Sequence, residues 1–504
     1  MKAFRLDVRA ELQKPRREYA ILAMITLLAA ALRFYRLGAW SFWIDELYTI
    51  GHVQAHYDNL ESIVRNIPPA TNWIPVSLIL TGRVLNLLGV SEWSARLVSA
   101  IIGVISIPAL YFPVKRLFSS GVGLVAMLLL AVSPWHLYWS QNARFYTALM
   151  LLYTLALFAF LLGVERDRPG YILLFPVLLY LAASERLLAL FAVPVVVGYL
   201  LLLVILRFEK PPGLRARNLL FMILPWIGFG VIEIRSVITS GYPRFFGGLE
   251  WFFQYQVDDP LRLFTFISFN LGVPVMCFGF FSGVYLLLQR SRPGLLLFLG
   301  ALIPLAVLIL LNPFVFTKDR YAFVTLPSWI ILSAVGIKEV FSRARGSGSV
   351  VAIGVLVVLL ADATGSNLLY YQVNNGNRRD WEGAFAVIKE RSRESDRFVV
   401  YWPELGNYYL GEEVTSWKDI DPDAVMESGE RFWFVTDSET AWANSKMKRW
   451  VEEKAQLIDV FYLRTPDDFS LRIYLYDPAR NTASGDRDGE CERPGFAVLN
   501  GIGR

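Results

Sequence analysis

Apolar residues in this chain come in long blocks separated by short polar connections. Eleven blocks stand out, at about residues 19–37, 94–114, 121–136, 146–163, 170–184, 187–206, 217–235, 263–288, 294–312, 321–338 and 349–364. Lengths of roughly 15–25 residues suit helices that cross a ~30 Å hydrocarbon core. A further segment, 72–89, carries Arg83 in its middle and is predicted to be an amphipathic helix lying on the membrane surface. Beyond residue 364 the pattern changes. "NNGNRRDWEGAFAVIKERSRESD" predicts a turn and an amphipathic helix, "RFVVYW", "RFWFVTD" and "FSLRIYLYD" predict strands, and "ETAWANSKMKRWVEEKAQL" predicts a helix between two of them.

The polar connections give these spans a direction. With the N-terminus inside, the inner loops are "KPRR", "VKRLFSS", "ERDRPG", "RFEKPPGLRAR", "QRSRPG" and "IKEVFSRARG", each rich in Lys or Arg as inner loops are. Treating 72–89 as a span would put the later loops of this set outside. Eleven spans also send the C-terminal region outward. The expected fold is therefore a polytopic α-helical membrane protein with a C-terminal extracytoplasmic α/β domain. Its expected organisation is a membrane module over 1–364 with an outer loop over 38–93, the α/β domain over 365–480, and a disordered tail over 481–504.

Composition agrees with this reading. The chain is 55% hydrophobic and 18% charged, with a mean hydropathy of +0.42, whereas a soluble protein is about a quarter charged. The net charge of +5 does not indicate nucleic acid, because the basic residues fall in inner loops where topology accounts for them. Cys277 and Cys491 offer no disulfide framework, and His52, His56 and His136 form no zinc motif. The N-terminal "KPRREYA" and the apolar run from Ala20 to Leu32 read as a retained signal anchor, with Arg33 and Arg36 snorkelling to the far interface.

Candidate chemistry gathers on the outer side. "SFWIDELYTI" places Asp45 and Glu46 after the first span, with Trp40, Trp43 and Tyr48 at headgroup depth. The pair reads either as a helix cap or as a general base or metal ligand at the membrane surface. "QNARFYTALM" brings Arg144 and Tyr146 to the outer start of a span, where positive charge is not a topological signal and an Arg suits phosphate. "FTKDRYAFVTLP" packs Lys318, Asp319, Arg320 and Tyr321 together, two cations able to neutralise a lipid phosphate with Asp319 orienting one of them. "ASERLL" holds Glu185 and Arg186, read as a mutual ion pair or as substrate contacts. Asp258 and Asp259 in "QVDDPLRL" would be the added acidic ligands of a metal-dependent site.

These residues resemble the GT-C glycosyltransferases, in the branch of protein O-mannosyltransferases and lipid A aminoarabinose transferases. The resemblance rests on "WIDELYT", on "PPATNWIPVSLILTGRVLNLLGVSEWSARLVSAIIGV" with its G-x-S-E-x-x-x-R pattern, on "SPWHLYWSQNARFYTALMLL", on "KDRYAFVTLPSWIILSAVGI" and on "NRRDWEGAFAVIKE". Five such segments occur in order on the side that the basic loops assign. The resemblance implies an inverting transfer from a polyprenyl-phosphate-linked sugar to a lipid, glycan or protein acceptor at the outer face of a prokaryotic plasma membrane. It implies Asp45 as general base, Glu46 as an aid to acceptor or donor, and Arg144, Tyr146, Lys318, Arg320 and Tyr321 as ligands of the lipid phosphate. No cofactor is expected, a divalent metal being the open alternative, and the expected partners are the lipid-linked sugar, the acceptor and the bilayer. The chain departs from the branch at Ile67-Pro68-Pro69, where many relatives carry His-Pro-Pro, and at Ser184-Glu185-Arg186, where many carry a His. A lipid-linked glycan transporter or non-enzymatic export subunit is the alternative from another class.

Overall fold

The computed structural model describes residues 8–57, 74–240, 259–343, 347–437, 440, 444–463 and 469–481. Backbone contacts divide the chain into two units, Met1–Arg378 and Arg379–Arg504. The division falls after the expected boundary at 365, because the last apolar helix continues through Leu368, Leu369, Tyr370 and Tyr371 before it stops at Gln372. The tail expected to be disordered lies almost wholly outside the described residues.

The first unit is helical. Its helices are α1 (Val8–Phe34), α2 (Ile44–Tyr57), α3 (Val76–Leu88), α4 (Glu92–Leu117), α5 (Ser120–Val132), α6 (Pro134–Ser140), α7 (Tyr146–Arg166), α8 (Pro169–Glu185), α9 (Ala192–Ile205), α10 (Ala216–Ser240), α11 (Pro260–Leu271), α12 (Val273–Leu288), α13 (Arg292–Leu311), α14 (Leu326–Arg343) and α15 (Ser347–Gln372). Every one of the eleven predicted spans is helical, and the 72–89 segment forms α3. Six helices are long and apolar enough to cross a membrane among the described residues, or eight if the bent pairs α5–α6 and α11–α12 each count once. The shortfall from eleven has a plain cause. α8 spans only 17 residues, and α1 is apolar only in its second half; α10 enters the comparison only through its stretch Ala216–Gly228 among the described residues. The chain is an integral membrane protein.

Two breaks in the spans shape the first unit. α5 and α6 meet at 61° at Ser133-Pro134, since Pro134 cannot donate to the preceding turn. The break strands the last carbonyls of α5, which in lipid must find partners inside the protein. Buried Arg33 of α1 donates to the Leu130 and Ala131 carbonyls at 3.3 and 2.9 Å, and Asn367 of α15 donates to Val132 at 2.8 Å. α11 and α12 meet at 93°. The corner is Gly272, whose φ of +84° a side-chain-bearing residue rarely adopts.

The second unit carries a five-stranded sheet in the order β2-β1-β3-β5-β4. Its strands are β1 (Arg397–Val400), β2 (Thr415–Ser416), β3 (Phe432–Thr436), β4 (Gln456–Phe461) and β5 (Leu471–Tyr476). β1 runs parallel to β2 and β3, while β5 runs antiparallel to β3 and β4. Helices α16 (Trp381–Arg391), α17 (Pro403–Leu410), α18 (Pro422–Ser428) and α19 (Ser445–Lys454) complete it. Val399, Trp417, Phe434, Met447 and Val451 form its core. Sequence alternation located β1, β3 and β5 but missed the edge strands, of which β2 has two residues and β4 is largely exposed.

Candidate active site

The site grows from the first turn of α2, where Asp45 and Glu46 sit at the positive end of the helix dipole. Consecutive helical residues point about 100° apart, so the two carboxylates meet different surroundings. The Glu46 side chain is 0% exposed and faces Arg96 of α4. Arg96 Nε donates to Oε1 and Nη2 to Oε2, both at 2.8 Å. The Ala143 N–H adds a third bond at 2.8 Å, and the Arg378 Nε stands 4.0 Å away. Arg96 also binds the Leu37, Trp40 and Ser41 carbonyls, so it fastens the loop after α1 to α4. Burial alone would raise the Glu46 carboxyl. Arg96, Arg378 and the Ala143 N–H outweigh it and hold the group below its ordinary range.

Asp45 turns to an open cation pair. Its side chain is 22% exposed, with Arg144 Nη2 at 3.6 Å and Arg320 Nη2 at 3.4 Å from Oδ2. Arg144 is fixed by its other nitrogen, which donates to the Asp45 carbonyl at 2.8 Å and to Thr49 Oγ1 at 2.7 Å. Arg320 stacks over Trp43 with its guanidinium 5.5 Å from the ring centre. Trp43 is pinned in turn by a 2.8 Å bond from its indole N–H to Asn142. Tyr146 and Tyr321 are buried beside this pair, within electrostatic reach of Arg320.

The loop Gln141–Phe145 between α6 and α7 therefore supplies much of the site. Gln141 donates to the Arg33 and Tyr35 carbonyls at 3.0 and 2.8 Å and accepts from Tyr370 at 2.7 Å. Arg378 donates to the Gln141 carbonyl at 2.6 Å. From the other side, Asn270 of α11 donates to Asp319 at 2.6 Å and steadies the turn that carries Arg320. Lys318 lies over the Phe316 ring at 4.8 Å.

The structure thus gathers Asp45, Arg144, Tyr146, Arg320 and Tyr321, with Glu46 directly behind. It separates Glu185 from Arg186, the pair that the sequence left open. Glu185 bonds to Ser77 of α3, whereas Arg186 reaches over the Phe145 ring at 5.6 Å, next to Arg144. Asp259 caps α11 through the Leu261 N–H at 2.9 Å. Asp258 lies outside the described residues. Among the described residues no three His, Cys, Asp or Glu side chains come together as metal ligands. Sequence reasoning gave no role to Arg96, Arg378, Thr49 or the Ala143 N–H. Arg96 closes the G-x-S-E-x-x-x-R pattern and Arg378 opens the N-R-R-D-W segment, so both were visible as polar residues at the edge of apolar stretches.

Comparison with solved structures yields alignments over most of the chain. The ArnT from Cupriavidus metallidurans bound to undecaprenyl phosphate aligns with a TM-score of 0.53 at 15% identity, over 92% of this chain and 98% of that one. Its apo form gives 0.52 at 15% identity, over 93% and 99%. The archaeal oligosaccharyltransferase AglB from Archaeoglobus fulgidus, in complex with an inhibitory peptide and a dolichol-phosphate, gives 0.54 at 13% identity, over 91% and 74%. The chain has the GT-C membrane fold. Within that GT-C fold, residues 68–229 match the family model of dolichyl-phosphate-mannose-protein mannosyltransferase. The matched segment contains Arg96, Arg144 and Glu185, while Asp45 and Arg320 lie outside it. No curated protein matches the chain.

Proposed function

We propose that the protein is an inverting glycosyltransferase that moves a sugar from a polyprenyl-phosphate donor to an acceptor at the outer face of a prokaryotic plasma membrane. The observation that carries this reading is a partly exposed carboxylate, Asp45, flanked by two guanidinium groups at 3.4 and 3.6 Å. Support comes from the ligands of two proteins of the same fold, undecaprenyl phosphate in one and dolichol-phosphate in the other, and from the matched family model.

The chemistry follows from that arrangement. Asp45 takes the proton of an acceptor hydroxyl as its oxygen attacks the anomeric carbon. The bond from that carbon to the phosphate oxygen breaks on the opposite face, which inverts the configuration. The departing polyprenyl phosphate gains a negative charge, and Arg144, Arg320 and Lys318 neutralise it, with Tyr146 and Tyr321 beside them. Donor-position charge stabilisation of this kind contributes about 2.7–4 kcal/mol per well-placed group. Before the donor arrives, Asp45 is the counterion of both arginines. The donor phosphate takes over their guanidinium groups and frees the carboxylate oxygen for the acceptor. Glu46 serves the site from behind, holding Arg96 and the Ala143 N–H in register.

The test is sugar transfer from labelled polyprenyl-phosphate sugars in membranes that contain wild type or Asp45→Asn, with lipid, glycan and protein fractions assayed as acceptors. The expected result is label transfer by wild type alone, with donor binding retained by the variant. Equal transfer by both would remove Asp45 as base and point to an acceptor that is already anionic. No transfer by either would favour a lipid-linked glycan transporter.

A further inference from the structure

Among the described residues, Glu185 is a buried carboxylate with no cation partner. Its side chain ends α8 at 4% exposure, and its sequence neighbour Arg186 points away over Phe145. The carboxylate instead accepts the Ser77 N–H at 2.8 Å and the Ser77 hydroxyl at 2.5 Å. Ser77 lies in the first turn of α3, whose cap residue Pro75 offers no side-chain acceptor of its own. Glu185 is therefore a cap supplied from a distant helix; burial still outweighs the Ser77 bonds and pushes the carboxyl up to about 7.

The same junction takes in the end of α2. The α3 backbone at Gly82 lies so close to Tyr57 that a Cβ there would stand 2.7 Å from the Tyr57 carbonyl oxygen. Burial, and then the Glu185 charge, push the Tyr57 phenol up. Tyr57 therefore lies within electrostatic reach of Glu185 and in close approach to α3 at Gly82. α2 is the helix whose first turn bears Asp45, and α3 packs along it.

We infer that Glu185 is a positioning residue for the transfer reaction, a clamp that seats α3 against α2 and thereby fixes Asp45 between Arg144 and Arg320. The inference rests on the glycosyltransferase reading for its catalytic consequence, but not for the clamp itself. The geometry gives Glu185 no free oxygen for substrate: both face Ser77. It also divides the Glu185-Arg186 turn, with one residue serving the α2–α3 layer and the next lying beside the cations.

The experiment compares Ser77→Ala, Glu185→Ala, the double variant and Glu185→Gln as full-length protein in membranes. A displacement of about 1 Å at a reacting group can cost on the order of 10²-fold, and that loss is expected in kcat for Glu185→Ala with the donor KM unchanged. Ser77→Ala removes only the hydroxyl bond and lowers kcat less in the same direction, and the double variant is no worse than Glu185→Ala, because Glu185→Ala already removes both bonds. Glu185→Gln still accepts the Ser77 N–H and keeps most of the rate. A raised donor KM in Glu185→Ala, with Ser77→Ala left fully active, would make Glu185 a substrate ligand and overturn the inference. A second readout does not depend on activity. Thr81→Cys, placed on the buried face of α3 in a chain with Cys277 and Cys491 replaced by Ser, is labelled with a membrane-impermeant maleimide. Faster labelling in the Glu185→Ala background is expected, and identical labelling overturns the clamp. If labelling responds while wild type transfers no sugar, the glycosyltransferase reading fails and the clamp stands.

Discussion

Asp45 and Glu46 are neighbours in sequence and differ in almost every physical respect. Glu46 is sealed from solvent and receives three bonds of 2.8 Å, two of them from one guanidinium. Asp45 is partly open, and its two cations stand at 3.4 and 3.6 Å. A carboxylate with every lone pair engaged at short range has no capacity left for a proton or a ligand. One that is loosely paired with groups able to bind phosphate can exchange them. One face of α2 is built for rigidity and the adjoining face for turnover. Identical chemistry in the sequence becomes two functions through a rotation of about 100°.

Several substitutions bear on that contrast. The largest effect is expected at Asp45. Asp45→Asn should lower turnover by roughly 10²–10⁴-fold, the contribution of a positioned base, while the melting temperature stays as in wild type. Glu46→Ala should do the reverse. It leaves Arg96 buried without its counterion, a loss of about 3–5 kcal/mol for breaking such a pair, read as a lower yield of folded protein and an earlier thermal transition. If Glu46→Ala folded normally and lost only activity, the contrast would collapse.

Arg320→Ala comes next, with a loss of about 10²–10³ in kcat if its guanidinium stabilises the leaving phosphate. Arg320→Lys should recover part of that, since an ammonium keeps the charge without the forked geometry. The acid limb of stability sharpens the comparison further. Glu46 has its pKa lowered in the fold from an ordinary value of 4.5, so its contribution is fully present above that value. It disappears as pH falls through the lower folded value. Thermal melts from neutral to acidic pH should therefore show a decline that Glu46→Gln flattens. The smallest effect should follow removal of divalent metal. With arginine and lysine supplying the positive charge, chelator should leave the transfer rate unchanged, and a strong loss would instead favour a metal at Asp45.

The sequence made the membrane architecture readable because helices that face lipid must be apolar over their full crossing, whatever they pack against. All eleven spans are helices for that reason. The two breaks were not readable: 121–136 and 263–288 were single apolar runs, and the bends at Ser133-Pro134 and Gly272 depend on partners elsewhere that satisfy the freed backbone. Arg144 stood out as a cation on the side where topology does not call for one, Asp45 as half of an acidic pair at the membrane surface, and Arg320 as part of a dense polar cluster. The distinction between Asp45 and Glu46 did not, because Arg96 reaches Glu46 across 50 residues and the Ala143 N–H across 97. Pairings at such separation leave no local pattern. The sequence left Glu185 open between Arg186 and substrate for the same reason, since its partner Ser77 is 108 residues away. In the second unit, β2 and β4 were missed as edge strands with little buried face, while β3, buried along its whole length, was plain.

The break after α5 carries a consequence for biogenesis. Its last carbonyls are satisfied by Arg33 from the first helix and by Asn367 from the last helix of the unit, which lies 235 residues beyond Val132. An unsatisfied carbonyl at that depth costs several kcal/mol. During synthesis the broken span therefore waits, incompletely bonded, until α15 has left the ribosome and entered the bilayer. A chain stopped before Asn367 would hold every predicted span and still present an exposed polar break to the membrane, the kind of defect that quality-control proteases recognise.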